Sequence, residues 1–551
     1  MRQNSFEGKQ EVNRFPGCAR RGRSKLDGGW SLKNLSATWP ADLAAPGTGA
    51  PHYAAGERLV NSRCALACLC YNFTDISFGG DNEFMLETPE LIEVSAQPQR
   101  LAELLSRCLN EVPLYQRNSP AALGNAEFRS DDANWALETL SRLPLITKQD
   151  IRRGFPANFL GESFDLDDLL DDETIELEHT SGTSEERTAL LLPRGWWAEQ
   201  ELRALRLNPT VARVLEEHPD ARRVTINSPV CSGDICYTGV PSRNDRIVGN
   251  ALFVSLSRFP FLWGEADLAR MAAEAIEWQP QFLDVDPVYG VVFALYCERR
   301  GLRLPSLRFI LCSYEFVSAT HRRILQRVFG VPIFNFYGST ETGHLLMEDD
   351  AGVRPSAGAA TYSGRAVPGT SPGPSSIPAC CARDVRTPGR MLPAQETAFL
   401  ETIHTDAGNV SELIVTTLTN PFMPLIRYRI GDLVERQERA GDAAYTVHGR
   451  VLDAFTTPGG RRVTTWQIDQ CLADLEGIAH YQLIERRDGS WLFRFAPDRS
   501  GPAPKTLETV RQRLAHRLEI NGGLTIQSTD ILAPETSGKF RLGYPAGAST
   551  G

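Results

Sequence analysis

The chain has 551 residues, 42% apolar and 23% charged, the make-up of a globular protein long enough for two or three domains. Its net charge of −10 argues against nucleic acid as the main partner, because phosphate backbones are held by positive surfaces. No apolar run approaches the roughly eighteen residues of a membrane-spanning helix, so no span is expected.

Residues 1–85 come first and differ from the rest. They are rich in Arg, Gly, Pro and Ser (PGCARRGRSK, LAAPGTGAP) and lack the charged start and apolar core of a secretory signal. This segment reads as a disordered or dispensable extension, or as a transit peptide. Its Cys64, Cys68 and Cys70 have no partner histidines at zinc spacing, and no metal is expected there. Other cysteines, such as Cys297 and Cys312, sit in apolar runs and read as reduced core thiols.

Further along, the acidic stretch ETIELE reads as a strand leading into HTSGTSEERTALLLP, His179 to Pro193. That bend of small residues offers backbone amides and hydroxyls suited to phosphate oxygens, although the Walker pattern GxxxxGK[ST] is absent from the chain. Next, ADLARMAAEAIEWQ places Leu268, Met271, Ala272 and Ala275 on one helical face. A strand (FLDV), a helix (PVYGVVFALYCERRG), a strand (LRFILCS), a helix ending at Gly330 and a strand (VPIFNFY) follow. This alternation predicts a parallel sheet covered by helices, with ligands gathered beyond the strands' carboxyl ends, where the loop YGSTET lies.

Residues 352–393 are dominated by Pro, Gly, Ser and Ala and read as a flexible insertion. In the tail, YQLIERRDGSWLFRF reads as a hairpin turning at Asp488–Gly489, with Trp491, Phe493 and Phe495 alternating. A helix marked by Leu507, Val510, Leu514 and Leu518 and a final strand, LTIQSTDIL, complete the pattern. The expected fold is α/β: a large multi-sheet domain over 86–449 with helix-covered sheets, and a small, mobile α+β domain over 450–545.

Five stretches in order, TSGTS, YGSTE (337–341), RYRIGDL (427–433), GRVLDAF (from 449) and PETSGK (ending at 539), resemble the motifs of the adenylate-forming enzymes. That group contains acyl-CoA synthetases, peptide-synthetase adenylation domains and luciferases. EVPLYQRN, LPLITKQDIR and PFMPLIRYRIGDLVE are similar to stretches of its phenylacetate–CoA ligase-like branch, and the resemblance covers roughly residues 90–545.

The resemblance implies an ATP- and magnesium-dependent ligase that turns a carboxylic acid into an acyl-adenylate and transfers the acyl group, with CoA as leading acceptor. Thr180, Ser181, Gly182, Thr183 and Ser184 would hold the β- and γ-phosphates. Glu341 matches the magnesium-ligating glutamate, with Thr340 beside it as a phosphate contact. Tyr337 would lie against adenine within the same motif as Gly338 and Ser339, and Ser313, Tyr314 and Glu315 fall where the adenine pocket is lined. Asp432 matches the ribose-gripping aspartate, Arg450 the nucleotide-contacting arginine at the domain junction, and Lys539 the mobile-domain lysine of adenylation.

Two positions depart from the family pattern. After Ser184 come Glu185 and Glu186 where a lysine is usual, leaving Arg187 as the neighbouring cation able to substitute. Two residues past Arg450, where the family has Asp or Lys, stands Leu452. The acid pocket is expected from Tyr237, Phe259, Phe261, Trp263 and Phe336, an apolar lining that suits an aryl or arylacetic acid. With no carrier domain read after Lys539, a diffusible acceptor is expected: CoA, a separate carrier protein or an amine. The sequence also admits a relative that binds nucleotide or acyl ligand without turnover. A cytoplasmic location is expected, and the oligomeric state is left open.

Overall fold

The computed structural model describes residues 96–118, 133–161, 164–180, 187–229, 241–350, 389–405, 408–439 and 442–546. Residues 1–85 with their cysteine cluster, Ser181 to Glu186 and Tyr237 lie outside these ranges, as does most of the expected insertion.

The chain enters through helices α1 (Ala96–Glu111), α2 (Pro113–Asn118), α3 (Ala133–Arg142), α4 (Lys148–Arg152) and α5 (Leu166–Asp171). A hairpin of β1 (Ile175–His179) and β2 (Ala189–Pro193) brackets the small-residue bend, with His179 opposite Ala189. Helices α6 (Trp196–Leu205) and α7 (Pro209–Glu217) lead to β3 (Arg223–Ile226), β4 (Ile247–Val248) and β5 (Ala251–Phe253). The alternating stretch then forms α8 (Glu265–Trp278), β6 (Phe282–Val285), α9 (Pro287–Arg300), β7 (Phe309–Cys312), α10 (Ala319–Phe329) and β8 (Ile333–Ser339).

Local chemistry sets these boundaries. The Asp286 carboxylate accepts from Val288 N and Pro287 takes the first turn of α9, while Ser318 accepts from His321 N at the start of α10. Gly301 and Gly330 end the two helices in the left-handed region, which a side chain enters only with strain. Leu268, Met271, Ala272 and Ala275 are buried, as the 3.6-residue period of α8 requires.

After β9 (Gly343–Glu348) come β10 (Met391–Pro393), β11 (Ala398–His404), β12 (Val410–Thr417), β13 (Tyr428–Arg439) and β14 (Asp442–Arg450). Among the described residues these strands join one twelve-stranded sheet, ordered β11-β12-β13-β14-β10-β9-β8-β7-β6-β3-β5-β4. From β5 through β8 the pairing is parallel; from β8 onward to β11 it is antiparallel. The switch occurs inside β8, whose residues 333–335 pair with β7 and 336–339 with β9. Its two faces bury different clusters: Leu283, Val285, Ile310 and Cys312 with α8 to α10 on one, and Phe282, Phe309, Phe334 and Phe336 with α6 and α7 on the other.

Two expectations are corrected. The insertion read over 352–393 ends earlier, because Met391–Pro393 is a strand held between β9 and β14 with Met391 buried. YGSTET is not an open loop after a parallel strand: Tyr337–Ser339 continue β8 and turn tightly into β9.

The tail builds a second core from β15 (Phe455–Thr456), β16 (Arg462–Val463), α11 (Thr465–Gln470), β17 (Ile478–Glu485), β18 (Trp491–Pro497), α12 (Pro504–Leu518), β19 (Leu524–Ser528) and β20 (Gly543–Tyr544). β17 and β18 are the antiparallel hairpin, with Gly489 at positive φ in the turn. The last strand is shorter than LTIQSTDIL: past Ser528 the chain leaves the sheet and Leu532 buries against the large-domain cluster of α8 to α10.

Helix α10 is the face on which this tail docks. Ala319 N donates to the Asp469 carboxylate at 2.8 Å, Arg323 donates to the Ala473 carbonyl at 2.8 Å, and Arg327 forks onto Asp498 at 2.8 and 2.9 Å. Between them, His321 Nε2 and His480 Nδ1 are 3.0 Å apart. Cys297 and Cys312 are buried free thiols, pushed up to about 12 by burial. Among the described residues no helix is long and apolar enough to cross a membrane.

Candidate active site

The β8–β9 turn lies past the carboxyl end of β8, where the sheet changes from parallel to antiparallel, and open α/β sheets bind ligands beyond the carboxyl ends of their strands. Gly338 is required there: a Cβ would lie 2.3 Å from the Gly343 carbonyl oxygen, so only glycine lets the two strands close. Thr342 N donates to the Ser339 carbonyl and the two hydroxyls are 2.9 Å apart, which fixes the turn and presents Glu341.

Glu341 is 6% exposed. Burial raises its carboxyl, but the Lys148 ammonium 2.9 Å away, together with hydrogen bonds from the backbone and Ser339, holds it below the usual glutamate range, hence ionised. Tyr428 donates to the same oxygen, Oε1, at 3.1 Å. Lys148, the first residue of α4, lies within LPLITKQDIR. A long-range bridge sets its position: Ile146 pairs with β13 through Ile146 N to Arg427 O (3.1 Å) and Arg429 N to Ile146 O (2.9 Å). The Thr147–Asp150 capping box then starts the helix beside Glu341.

In the neighbouring ladder Asp432 pairs with Arg450, with Nε 3.8 Å from Oδ1. Tyr337 donates to Asp432 Oδ2 at 2.7 Å. Burial raises the Asp432 carboxyl, opposed first by Arg450 and then by Tyr337. Tyr337, Asp432, Arg450 and Glu341 thus share one end of the sheet.

Ser313, Tyr314 and Glu315 follow β7. Ser313 Oγ donates to Asp284 Oδ1 at 2.7 Å and Tyr314 OH to Oδ2 at 2.8 Å, with Tyr314 at φ +72°. Burial raises the Asp284 carboxyl against the pull of Arg223. The sequence signal for Asp284 is an aspartate inside FLDV, a strand buried at every position. Glu315 reaches the tail instead, accepting from Phe540 N.

Lys539 rides on a turn in which Glu535 N donates to Lys539 O and Gly538 N to Glu535 O, both at 2.8 Å. The turn is docked on the large domain: Arg258 donates to Thr536 O at 2.7 Å, and the Tyr289 hydroxyl lies 2.9 Å from Gly538 O. The Lys539 charge pulls down the carboxyls of Asp286, Glu315 and Asp432, though burial raises all three more. Lys539 therefore acts on the same carboxylate, Asp432, that Glu341 also acts on.

Of the phosphate-bend residues, Thr180 is described: Thr180 N donates to Thr188 O and Thr188 N to Thr180 Oγ1, both at 3.0 Å, closing the neck of the bend. Arg187 lies at its far side, exposed, and acts on His179. Of the expected pocket aromatics that are described, Phe336 lies apart from Phe261 and Trp263. Phe261 packs against Phe540 and His480, and Trp263 against Tyr289, in the cluster of α8 to α10. Phe259 lies under the Arg258 guanidinium, 5.0 Å from its ring centre. Phe336 is on the opposite face, stacked 4.1 Å from His344, which Trp197 meets edge-on.

These groups fit a nucleotide with a hard cation. Asp432 offers two acceptors, and Glu341 is an ionised carboxylate flanked by hydroxyls. Among the described residues no three His, Cys, Asp or Glu side chains gather for a metal.

No protein-family model matches the chain. It is similar to the phenylacetate–coenzyme A ligase of Thermus thermophilus, 23% identical over 464 residues, covering 80% of this chain and 92% of the relative. Its fold matches solved structures of 2-hydroxyisobutyryl-CoA ligase. With 2-HIB-AMP in the postadenylation state the TM-score is 0.54 at 17% identity, covering 83% of this chain and 89% of that one. With R3-HIB-AMP it is 0.52 at 17% identity, covering 80% and 88%.

Proposed function

We propose that the chain is an adenylate-forming ligase that activates an aryl or arylacetic acid with ATP and passes the acyl group to coenzyme A, a reading supported by its similarity to the Thermus ligase and by the shared fold. The observation that supports this reading is the docking of the Lys539 turn onto Arg258, Tyr289 and Glu315 of the large domain, whose sheet carries Asp432, Arg450, Tyr337 and Glu341.

In the first step a carboxylate oxygen of the acid bonds to the α-phosphorus and the bond to pyrophosphate breaks. Lys539 meets the charge that gathers on the carboxylate and α-phosphate, an interaction worth most in the transition state. Asp432 holds the ribose hydroxyls and is itself held by Tyr337 and Arg450. Magnesium, when bound at Glu341, supplies Lewis-acid charge to the phosphates. Lys148 provides the cation that the bend lacks, from α4 rather than from the bend itself, and Arg187 is a second candidate. In the second step a thiol sulfur bonds to the acyl carbon and AMP leaves.

Coenzyme A as acceptor and the aryl acid rest on the similarity to the Thermus ligase. We place the reaction in the cytoplasm, where both cosubstrates are plentiful.

The test is acid-dependent exchange of labelled pyrophosphate into ATP over phenylacetate, benzoates and short hydroxy acids, followed by CoA-dependent AMP release. Wild type should exchange with an aryl or arylacetic acid, and Lys539→Ala should lose about 100-fold or more. Exchange with no acid, or full exchange by Lys539→Ala, overturns the reading.

A further inference from the structure

At the junction between the two domains the side chain that stands where a charge is usual, Leu452, is 77% exposed and sits on a single turn, Val451–Asp453. The charge lies one residue further on. Asp453 is buried, and its Oδ1 accepts from Arg541 Nε at 2.8 Å and faces Nη2 at 2.7 Å. Nη2 also reaches the Leu452 carbonyl at 3.3 Å.

Arg541 is two residues beyond Lys539. Its guanidinium lies 4.9 Å over the Tyr544 ring, and the Tyr544 hydroxyl bonds to the Glu535 carboxylate. Glu535 closes the lysine turn through its own amide and carbonyl. The backbone of β20 presses on the same point: a Cβ on Gly543 would lie 2.6 Å from the Asp453 carbonyl oxygen. Continuous contacts therefore run from the junction, through Arg541, Tyr544 and Glu535, to the turn that carries the lysine.

We propose that Asp453 and Arg541 are positioning residues that tie the Lys539 turn rigidly to the junction, so that a pivot at Val451–Leu452 swings the lysine as one piece with the small domain. This deepens the proposed function and rests on it. Arg541 suits the task because its planar fork holds Asp453 while one face stays on Tyr544, which a lysine's point charge does not reproduce. A catalytic group displaced by about 1 Å loses on the order of 100-fold in rate, so loosening this linkage shows in turnover before it shows in substrate binding.

The test compares wild type, Arg541→Ala, Arg541→Lys, Asp453→Asn, Lys539→Ala and Lys539→Ala/Arg541→Ala as full chains. Adenylation is read by pyrophosphate exchange, and acyl transfer by CoA-dependent AMP release from supplied acyl-adenylate. Arg541→Ala should lower exchange turnover about 10- to 100-fold with the KM for ATP within about threefold and acyl transfer largely kept. Asp453→Asn should fall the same way, Arg541→Lys should recover part of the loss, and the double variant should equal Lys539→Ala alone. Amide hydrogen exchange, which needs no substrate, should show Glu535 and Gly538 losing protection about tenfold in Arg541→Ala while β17 and β18 keep theirs.

The proposal fails if Arg541→Ala and Asp453→Asn depress both half-reactions alike, if the Arg541→Ala loss persists in full on Lys539→Ala, or if turn protection is unchanged. Absence of exchange in wild type removes the functional reading, and hydrogen exchange then decides the linkage alone. Should Arg541→Ala not fold, Asp453→Asn, which preserves shape, carries the same comparison.

Discussion

Replacing both His321 and His480 by phenylalanine should remove an acid sensitivity built into the domain interface. The two rings stack 5.2 Å apart at 22°, both fully buried, one on α10 and one on β17. One hydrogen bond joins them, and His321 Nδ1 and His480 Nε2 have no partner among the described residues. Burial lowers His321 to about 3, and burial together with His321 lowers His480 further. Around them stand Phe261 and Phe540, Tyr481 with its bond to Asp469, Arg322 and Arg323 on α10, and Lys539 and Glu315 beside Phe540.

A histidine whose folded pKa is depressed contributes its full stability above the unfolded value near 6.5, and loses it as pH falls from there toward the folded value. Between pH 7.5 and about 5.5 the unfolded chain gains nearly one proton per histidine while the folded chain gains none. The cost is about 1.4 kcal/mol each, or about 2.7 kcal/mol for the pair. Asp469, raised by burial to about 6, works in the opposite direction but titrates in both proteins and cancels in the comparison. Phenylalanine keeps the stacking and removes both partners of the hydrogen bond, a change that leaves neutral-pH stability nearly intact. Urea unfolding of wild type and double variant at the two pH values should therefore differ in pH dependence by about 2–3 kcal/mol. Equal dependence within about 0.5 kcal/mol would refute the reasoning, because it would mean that water or a charge reaches the pair in the folded protein.

Lys148→Met should leave the buried Glu341 carboxylate without its cation. Losing one partner of a buried pair costs about 3–5 kcal/mol, and because the lysine side chain is 44% exposed we expect about 1–2 kcal/mol, read from unfolding, with a KM for ATP raised about tenfold. Adding Glu341→Gln should restore the stability but not the activity. If Lys148→Met alone changes neither, Lys148 is not the cation of this site. Gly538→Ala should keep the tail from docking, because its Cβ would meet Ser228 Oγ at 1.9 Å with φ at +84°. Pyrophosphate exchange should fall at least about tenfold, and Ser228→Gly should recover part of it by removing the clash while about 1–2 kcal/mol of strain remains. Gly522→Ala, at φ +89° with nothing within 4 Å, should carry strain alone and keep exchange.

Much of this fold is written in local chemistry. The 3.6-residue spacing of Leu268, Met271, Ala272 and Ala275 marks α8, Asp286-Pro287 and Gly301 bound α9, and Asp488-Gly489 turns the β17–β18 hairpin. Each signal lies within a few residues of what it specifies, so sequence alone determines it. Glu341, Asp432, Arg450 and Lys539 were legible as an ordered set of motifs, and their convergence follows from where β8, β13, β14 and the tail run. What the sequence left open depends on groups far apart in the chain. Lys148 and Glu341 are 193 positions apart and meet because Ile146 bridges to β13; Arg541 finds Asp453 because β20 pairs beside β17. Phe261 and Phe336, both plausible pocket linings by type, fall on opposite faces of one sheet. Burial and partnership at long range belong to packing, and packing only the tertiary structure decides.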